Sequence, residues 1–554
     1  PVASVVLDPT RLTFVVPATT GEKSVDVVLR NLEGLDTTLV RGLIYTQEFS
    51  LDPSTTTFTD AKARHLFRRA AFGATPARIA QAVADGLTVS TDKLVSFTND
   101  AAVENAALAF YPSPPPVGLL NERTNKEWWI HQILSNPNPF QDRLAWFLHD
   151  HFATSERGWN QDAIWFLHEQ IKTLRRFSVA TGDTIADGQS GLGYDWRAIL
   201  IAMAKDRAML EWLDGRQSTA TAPNENWARE LWELFMLGEG VGYTEADIKE
   251  AAKAFTGFFW LRLPGQQQLE MRYRPSRHHT GDKTILGVTG KFGYDDISPL
   301  HETNSALATD PVDTGGGVVA LTLARRPVEA SQFICRKLAE FFLYEGQDDS
   351  VVNALAADLR APGANQWNLK PILLKIFRSK AMYSARALKG KVKSPVEFVM
   401  GFLRTTDIRL NANIAVNASQ IRTRLINIGQ VPIEPPDVNG WPTGSAWMGS
   451  QTMVERYNFL NFAVMQLDLV PQIDPLVPPV GQRGATALVD HIAGLLDTQL
   501  SGNARTEAIA YVNSYLNPAN GAPLPYNPAD TQHVKTKARG LLYLIAQYHD
   551  AQQD

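Results

Sequence analysis

The period of the hydrophobic positions changes near residue 60, and that change divides the chain. Before it, short β-branched runs alternate with turn clusters. Val5-Val6-Leu7, Leu12-Thr13-Phe14-Val15-Val16 and Val25-Asp26-Val27-Val28-Leu29 are separated by Asp8-Pro9-Thr10 and Thr19-Thr20-Gly21. Such runs read as strands. Leu39 to Tyr45 and Phe49 to Leu51 add two more candidates. Residues 1–58 are therefore expected to form a small β module, immunoglobulin-like or a partial sandwich. It is shorter than the roughly 100 residues of a full immunoglobulin-type domain.

From Asp60 the spacing becomes helical. Asp60 is positioned to cap a helix from Ala61 to Phe72, ended by Gly73, and Thr75 caps the next, with Pro76 at its first position and Gly86 after its end. Further helices are predicted near 121–135, 139–154, 160–178, 223–237, 244–259, 316–324, 327–344, 366–379, 394–405, 448–466, 485–498 and 528–550. A Gly-, Pro- and His-rich insertion at about 262–315 interrupts them, with Met271-Arg272-Tyr273 and Thr284-Ile285-Leu286 as short strands. A second irregular stretch runs from Gly429 to Gly449. Both are either functional loops or plain connections. The expected fold is mainly α: one large multi-helix domain over 59–554 with a short β insertion, preceded by the small β-sandwich-like module.

The segment Ala222 to Gly240 concentrates polar groups on one helix. Trp227, Leu231, Leu234 and Phe235 share a face, with Asn226, Glu230 and Glu233 as an adjacent stripe. Glu225 and Arg229 are four apart, in the favourable order for a helical ion pair. Glu230 lies nearest the apolar face. Burial would raise its pKa and suit it to general acid work. The alternative is a buried network that joins helices. Glu230, His151 and Glu225 are the candidate catalytic groups. Asn224, Asn226, Arg229, Asp437 and Trp441 are the candidate substrate-binding groups.

His151 shares a face with Leu144, Phe147, Leu148 and Phe152 and so points inward, as a satisfied core histidine or as a base. His149 points elsewhere. His279 and Asp282 are candidate ligands for a divalent metal, beside His278, at a spacing that fits no closed structural site. Trp441 stands between Gly440 and Pro442, which restricts its backbone. It either stacks on a flat ligand or plugs the helical core.

Composition narrows the classes. The chain has 554 residues, 44% hydrophobic and 20% charged, as in ordinary globular proteins. The net charge of −5 gives no support for a nucleic-acid partner. No apolar run is long enough to span a bilayer. The single cysteine, Cys335, reads as a buried, inert thiol. The start at Pro1 is consistent with a removed signal peptide or a trimmed boundary. There is no G-x-S-x-G elbow and no P-loop.

Several stretches resemble one family. They are ARHLFRRAAFGATP at 63–76, WFLHDHFATS at 146–155, PNENWARELWELFMLGEGVGYTEADIKEAAKAFTGF at 223–258, HHTGDKTILG at 278–287, KVKSPVEF at 391–398 and GQVPIEPPDVNGWPTGSAWM at 429–448. In this order they resemble the bacterial "domain of unknown function 1800" family, over about 60–465. The resemblance implies a mostly helical fold and export from a bacterial cytoplasm, hence a periplasmic or secreted location. It carries no established reaction. Many members carry His-Asp-x-Gly-x-Lys where this chain has His278-His279-Thr280-Gly281-Asp282-Lys283, so His279 stands in for an Asp. Three function classes follow. The first is an exported enzyme, a hydrolase or lyase on a polysaccharide. The second is a non-catalytic surface protein whose β module docks a protein partner. The third is a metal- or cofactor-binding protein.

Overall fold

The computed structural model describes residues 5–8, 11–14, 23–30, 36–45, 50–98, 122–156, 159, 161–185, 188–262, 269–295, 316–466, 476–516 and 520–554. Helix makes up 59% of the structure and strand 7%, so the protein is mainly α. Near the N-terminus, Val5–Asp8 pairs antiparallel with Arg11–Phe14, and Lys23–Arg30 pairs with Asp36–Tyr45. These four strands match four of the predicted runs. Whether they pack as a sandwich rests on residues outside those described.

One hydrophobic core runs through the helical part, from Phe58 to Ala546. Caps explain where its first helices begin and end. Thr59, not Asp60, caps the helix Asp60–Ala71, accepting from the Lys62 N–H. Asp60 sits one position inside and binds Arg64 Nε at 2.6 Å. Either arrangement places a carboxylate at the positive end of the helix. Pro76–Val95 opens on the Thr75 cap and breaks at Gly86, whose φ is +78°.

The predicted helix over 244–259 stops early. Glu245–Ala254 ends, Gly257 takes a φ of +116°, and Phe258–Arg262 becomes a strand paired with Leu269–Tyr273. The run Phe-Phe-Trp-Leu has the aromatic character that favours a pleated, half-buried surface. In the insertion, Lys283–Ile285 pairs with Val288–Gly290, and Phe292–Gly293 pairs with Gly316–Gly317. The predicted insertion's residues 263–268 and 296–315 lie outside those described.

The helix Pro139–His151 lies at the centre. Every residue from Pro139 to His149 is buried. A helix buried all round carries no amphipathic stripe, so its polar residues must find partners inside. Asp142 binds Arg175 Nε at 2.8 Å and Asn136 Nδ2 at 2.7 Å. Arg143 donates to Glu397 and, at 2.8 Å, to the Arg69 carbonyl. Its guanidinium lies 4.8 Å from the Phe72 ring centre and 4.3 Å from that of Phe341.

Residues 50–58, the last of the predicted β module, are hydrogen-bonded to and packed on the helical part. Ser54 N donates to Arg378 O at 2.7 Å, Lys380 N to Asp52 O at 2.8 Å and Ala381 N to Ser50 O at 3.0 Å. Phe58 is buried in the core. A truncated chain starting at Ser50 should therefore melt with the full-length protein. One starting at Thr59 loses Phe58 and these bonds and should be destabilised by about 3 kcal/mol or more, the usual range for deleting a buried aromatic side chain. Thermal melting of the two truncations checks this.

Candidate functional site

A cleft with about 390 Å³ of empty space, open solvent included, lies beside the central helix. Trp146 and Asp150 line it from that helix, Lys391, Ser394 and Glu397 from the next wall, and Trp441 to Gly444 with Trp447 from the loop opposite. The loop is seated by a short-range device. Asp437 Oδ1 accepts the Asn439 N–H at 2.8 Å, and Gly440 N donates to Asp437 O at 3.2 Å. That turn delivers the Trp441 N–H to Asp150 Oδ1 at 2.8 Å. Gly440 is required twice over. Its φ is +88°, and a Cβ there would lie 2.3 Å from Asp150 Oδ1. The Trp441 ring then stacks on Trp146, with centres 4.8 Å apart and planes 11° apart. At 7% exposure it is a wall of the cleft and a seal on the core, not a free platform.

The opposite wall rests on a capping box. Ser394 Oγ accepts the Glu397 N–H, and Glu397 Oε2 accepts the Ser394 N–H at 2.7 Å. Glu397 Oε1 takes Arg143 and, at 3.3 Å, Lys391 Nζ. Lys391 also reaches Phe341 O at 3.3 Å.

Two carboxyl groups of this cleft are driven apart. Burial pushes Asp150 up to about 6, against the Trp441 N–H, Lys337 and Lys391. Burial acts in the same sense on Glu397, but Lys391, Arg143 and the Ser394 N–H outweigh it and hold that carboxyl well below the usual range. One group is thus a proton carrier near neutral pH and the other a fixed anion, the arrangement on which acid–base sites are built. Trp447 Nε1 has no hydrogen-bond partner among the described residues.

The predicted site residues divide between places. Asn226–Glu230 is α-helical and Leu231–Met236 continues as a π-helix. The apolar face is buried as expected, but the polar stripe is not. Asn226 is exposed, and Arg229 sits in a surface network with Glu225 at 3.4 Å, Glu233 at 3.2 Å and Glu245 at 2.7 Å. The predicted pair of Glu225 with Arg229 is present in this network. Exposed pairs of this kind contribute roughly 0–1 kcal/mol. Glu230 is half-buried, and burial followed by Glu233 raises its pKa against Arg229. Asn224 builds the preceding loop, accepting the Asn226 N–H at 2.8 Å and donating to Asp214 O.

His151 is buried among Phe147, Phe152, Trp196 and Phe235, with Nε2 at 3.2 Å from Phe235 O. Burial, reinforced by Lys337, lowers its pKa far below the ordinary value, so the ring stays neutral. His149 contacts Trp129 and Trp441, and burial lowers its pKa to about 3. The backbone N–H of His279 donates to Thr256 Oγ1 at 2.9 Å, and Asp282 is exposed. Among the described residues no group of three His, Cys, Asp or Glu is placed to hold a metal.

Trp146 and Asp150 of the central helix and Trp441 of the loop therefore meet in one cleft. Segments 223–233 and 278–283 supply none of its lining. Asp150 and Lys391 were the groups that sequence reasoning missed. The legible signal for the first was an Asp between two histidines. For the second it was the Ser-Pro-x-Glu capping box that anchors its partner.

Fold and cleft together define a mainly α protein with one titrating carboxyl in an aromatic-walled cleft. Residues 65–547 match the family described as "Protein of unknown function (DUF1800)", and the chain belongs to that family. No curated protein and no solved structure matches it. Among the described residues no helix is long and apolar enough to cross a membrane.

The raised pKa has a thermodynamic sign. The folded state holds the Asp150 proton more tightly than the unfolded chain does. This contribution to stability is present in full below about pH 4, where the unfolded group titrates. It is lost as pH rises through about 6. Asp150→Asn keeps an oxygen for the Trp441 N–H and should flatten that fall. Glu156 and Asp206, each pushed up to about 7 by burial, titrate nearby. Infrared difference spectra of wild type minus variant should isolate one carboxyl band that titrates near pH 6. An unchanged spectrum would show that Asp150 is ionised throughout.

Proposed function

We propose that this protein is an acid–base enzyme of the hydrolase or lyase kind, that the Trp146–Trp441–Trp447 cleft is its active site, and that Asp150 is its proton donor and acceptor. The observation that carries the reading is the Asp150 carboxyl, held up to about 6 and partly open to the cleft. A group with that pKa exchanges protons efficiently near neutral pH.

The substrate class is a polysaccharide chain or chain end. Apolar ring and proline walls with Lys391, Ser394, Gln430 and Thr443 between them offer an apolar surface and scattered polar partners, a common composition for ligand clefts. In a hydrolysis, protonated Asp150 gives its proton to the leaving oxygen as the glycosidic bond breaks. A water molecule forms the new bond to the sugar carbon and gives its proton to the Asp150 carboxylate left by the first transfer, which restores the acid. Glu397 takes no part in proton transfer, because both its oxygens are engaged by Arg143, Lys391 and Ser394. The reading places the protein outside the cytoplasm, in line with the family resemblance, where such polymers are met.

The competing reading is a glycan-binding surface protein without turnover. The close engagement of Lys391 and Glu397 favours it, since it leaves Asp150 as the sole titrating carboxyl assigned in the cleft. Incubation with a polysaccharide panel, read by product mass, separates the two. Turnover by the wild type and a loss of about 100-fold or more in Asp150→Asn is the expected result. Binding without products supports the surface protein. Products formed equally by wild type and variant would remove the cleft from the mechanism.

A further inference from the structure

A second cavity, partly open to solvent, lies against the same Lys391–Glu397 segment. Lys391 lines the cleft, whereas Lys393 lines this cavity, and Glu397 borders both. Its lining is two-sided. Phe72, Ile79, Phe398, Phe402 and Leu495 form an apolar part. Arg64, Arg68 and Lys393 form a basic part, with Asp497 and Asp554 beside them.

The basic part is crowded. Arg68 Nη1 binds Asp497 at 2.6 Å, and Arg68 Nε lies 3.6 Å from Asp554. Lys389 shares Asp497 at 3.6 Å, and Lys393 shares Asp554 at 3.6 Å. Three cations thus divide two side-chain carboxylates. Arg64 is paired with Asp60, and the Glu397 charge is met by Arg143 and Lys391. Arg69 adds a further buried guanidinium, with Nη2 on Ala387 O and Asp554 O and with Nε and Nη1 lacking a hydrogen-bond partner among the described residues. Buried charge is stable only when matched, so this corner is short of anions. Burial, followed by Arg68 and Lys393, pushes Lys389 down to about 7.

We propose that this cavity binds an amphiphilic monoanion, a medium-chain aliphatic carboxylate, with its carboxylate at Arg68 and Lys393 and its chain along Phe72, Phe398 and Phe402. The anion completes the charge balance, and the chain covers the apolar part. Binding brings negative charge near Lys389, so it should take up a proton at pH 7.5.

Calorimetric titration tests this with decanoate, with decyl glucoside (a comparable chain, no charge) and with acetate (charge, no chain). Decanoate should bind saturably, at least tenfold more tightly than either control, and with a heat that depends on the buffer. Gly401 lines the cavity, and a Cβ there would meet nothing nearer than Phe72 O at 3.6 Å. Gly401→Leu should therefore fill the space without touching a charge and weaken decanoate at least tenfold. Arg68→Gln should do the same, and Gly401→Leu keeps the test open if that variant misfolds. No saturable binding, equal binding of decyl glucoside or acetate, or indifference to Gly401→Leu would each overturn the proposal.

Discussion

The structure depends on one buried contact, the Arg143–Glu397 pair. It joins the helix Pro139–His151 to the helix Pro395–Thr406 where almost no water reaches either partner. Leaving one member alone in such a place costs roughly 3–5 kcal/mol. The requirement is therefore geometric. The two helices can pack only in a register that gives Arg143 its carboxylate and Glu397 its two cations. The pair does more than hold helices. Glu397 is also the third residue of its helix and closes its own capping box, so one carboxylate fixes a helix start, a helix–helix register and the position of Lys391.

The second constraint is the π-helical turn Leu231–Met236. Trp232 O accepts from both Leu237 N and Gly238 N at 2.9 Å. The wider turn changes which residues face inward, and Phe235 O is left to meet His151. A neutral histidine among the rings of Phe147, Phe152, Trp196, Phe235 and Phe333 is thereby given a partner, and the central helix is pinned from a second side. π-turns often mark functional places. Here the turn serves the packing behind the cleft.

Much of the fold was legible from local signals, and the reasons are specific. Thr75-Pro76, Ser394-Pro395-Val396-Glu397 and Thr244 with Asp247 announce helix starts through side chains that meet the first free N–H groups. Gly73 and Gly86 mark ends because their backbones turn left-handed. The site was less legible. The polar stripe at Asn226 and Glu230 drew attention because polar density on a helix stands out in one dimension. Arg229 and Glu245 simply hold that stripe at the surface. Asp150 offered only its place between two histidines. Its character is set by burial and by Trp441, 291 positions away, whose approach depends on a glycine at 440. Periodicity reports which face of one helix is wet. It says nothing about which distant loop covers that face.

The same contrast explains why Asp150 and Glu397, in one cleft, behave oppositely. Both are largely withdrawn from water, Asp150 less completely than Glu397, and burial alone would raise both. Glu397 receives an Arg, a Lys and a backbone N–H, each directly. Asp150 receives one backbone N–H, while Lys337 and Lys391 act on it from further off and are themselves engaged with Leu234 O, Phe341 O and Glu397. The difference between a fixed anion and a mobile proton is thus the difference between direct and indirect access to positive charge. Lys391 links the two groups. Because it is committed to Glu397, its field is largely neutralised before it reaches Asp150. The ion pair that sets the packing register also keeps the cleft's acid protonatable.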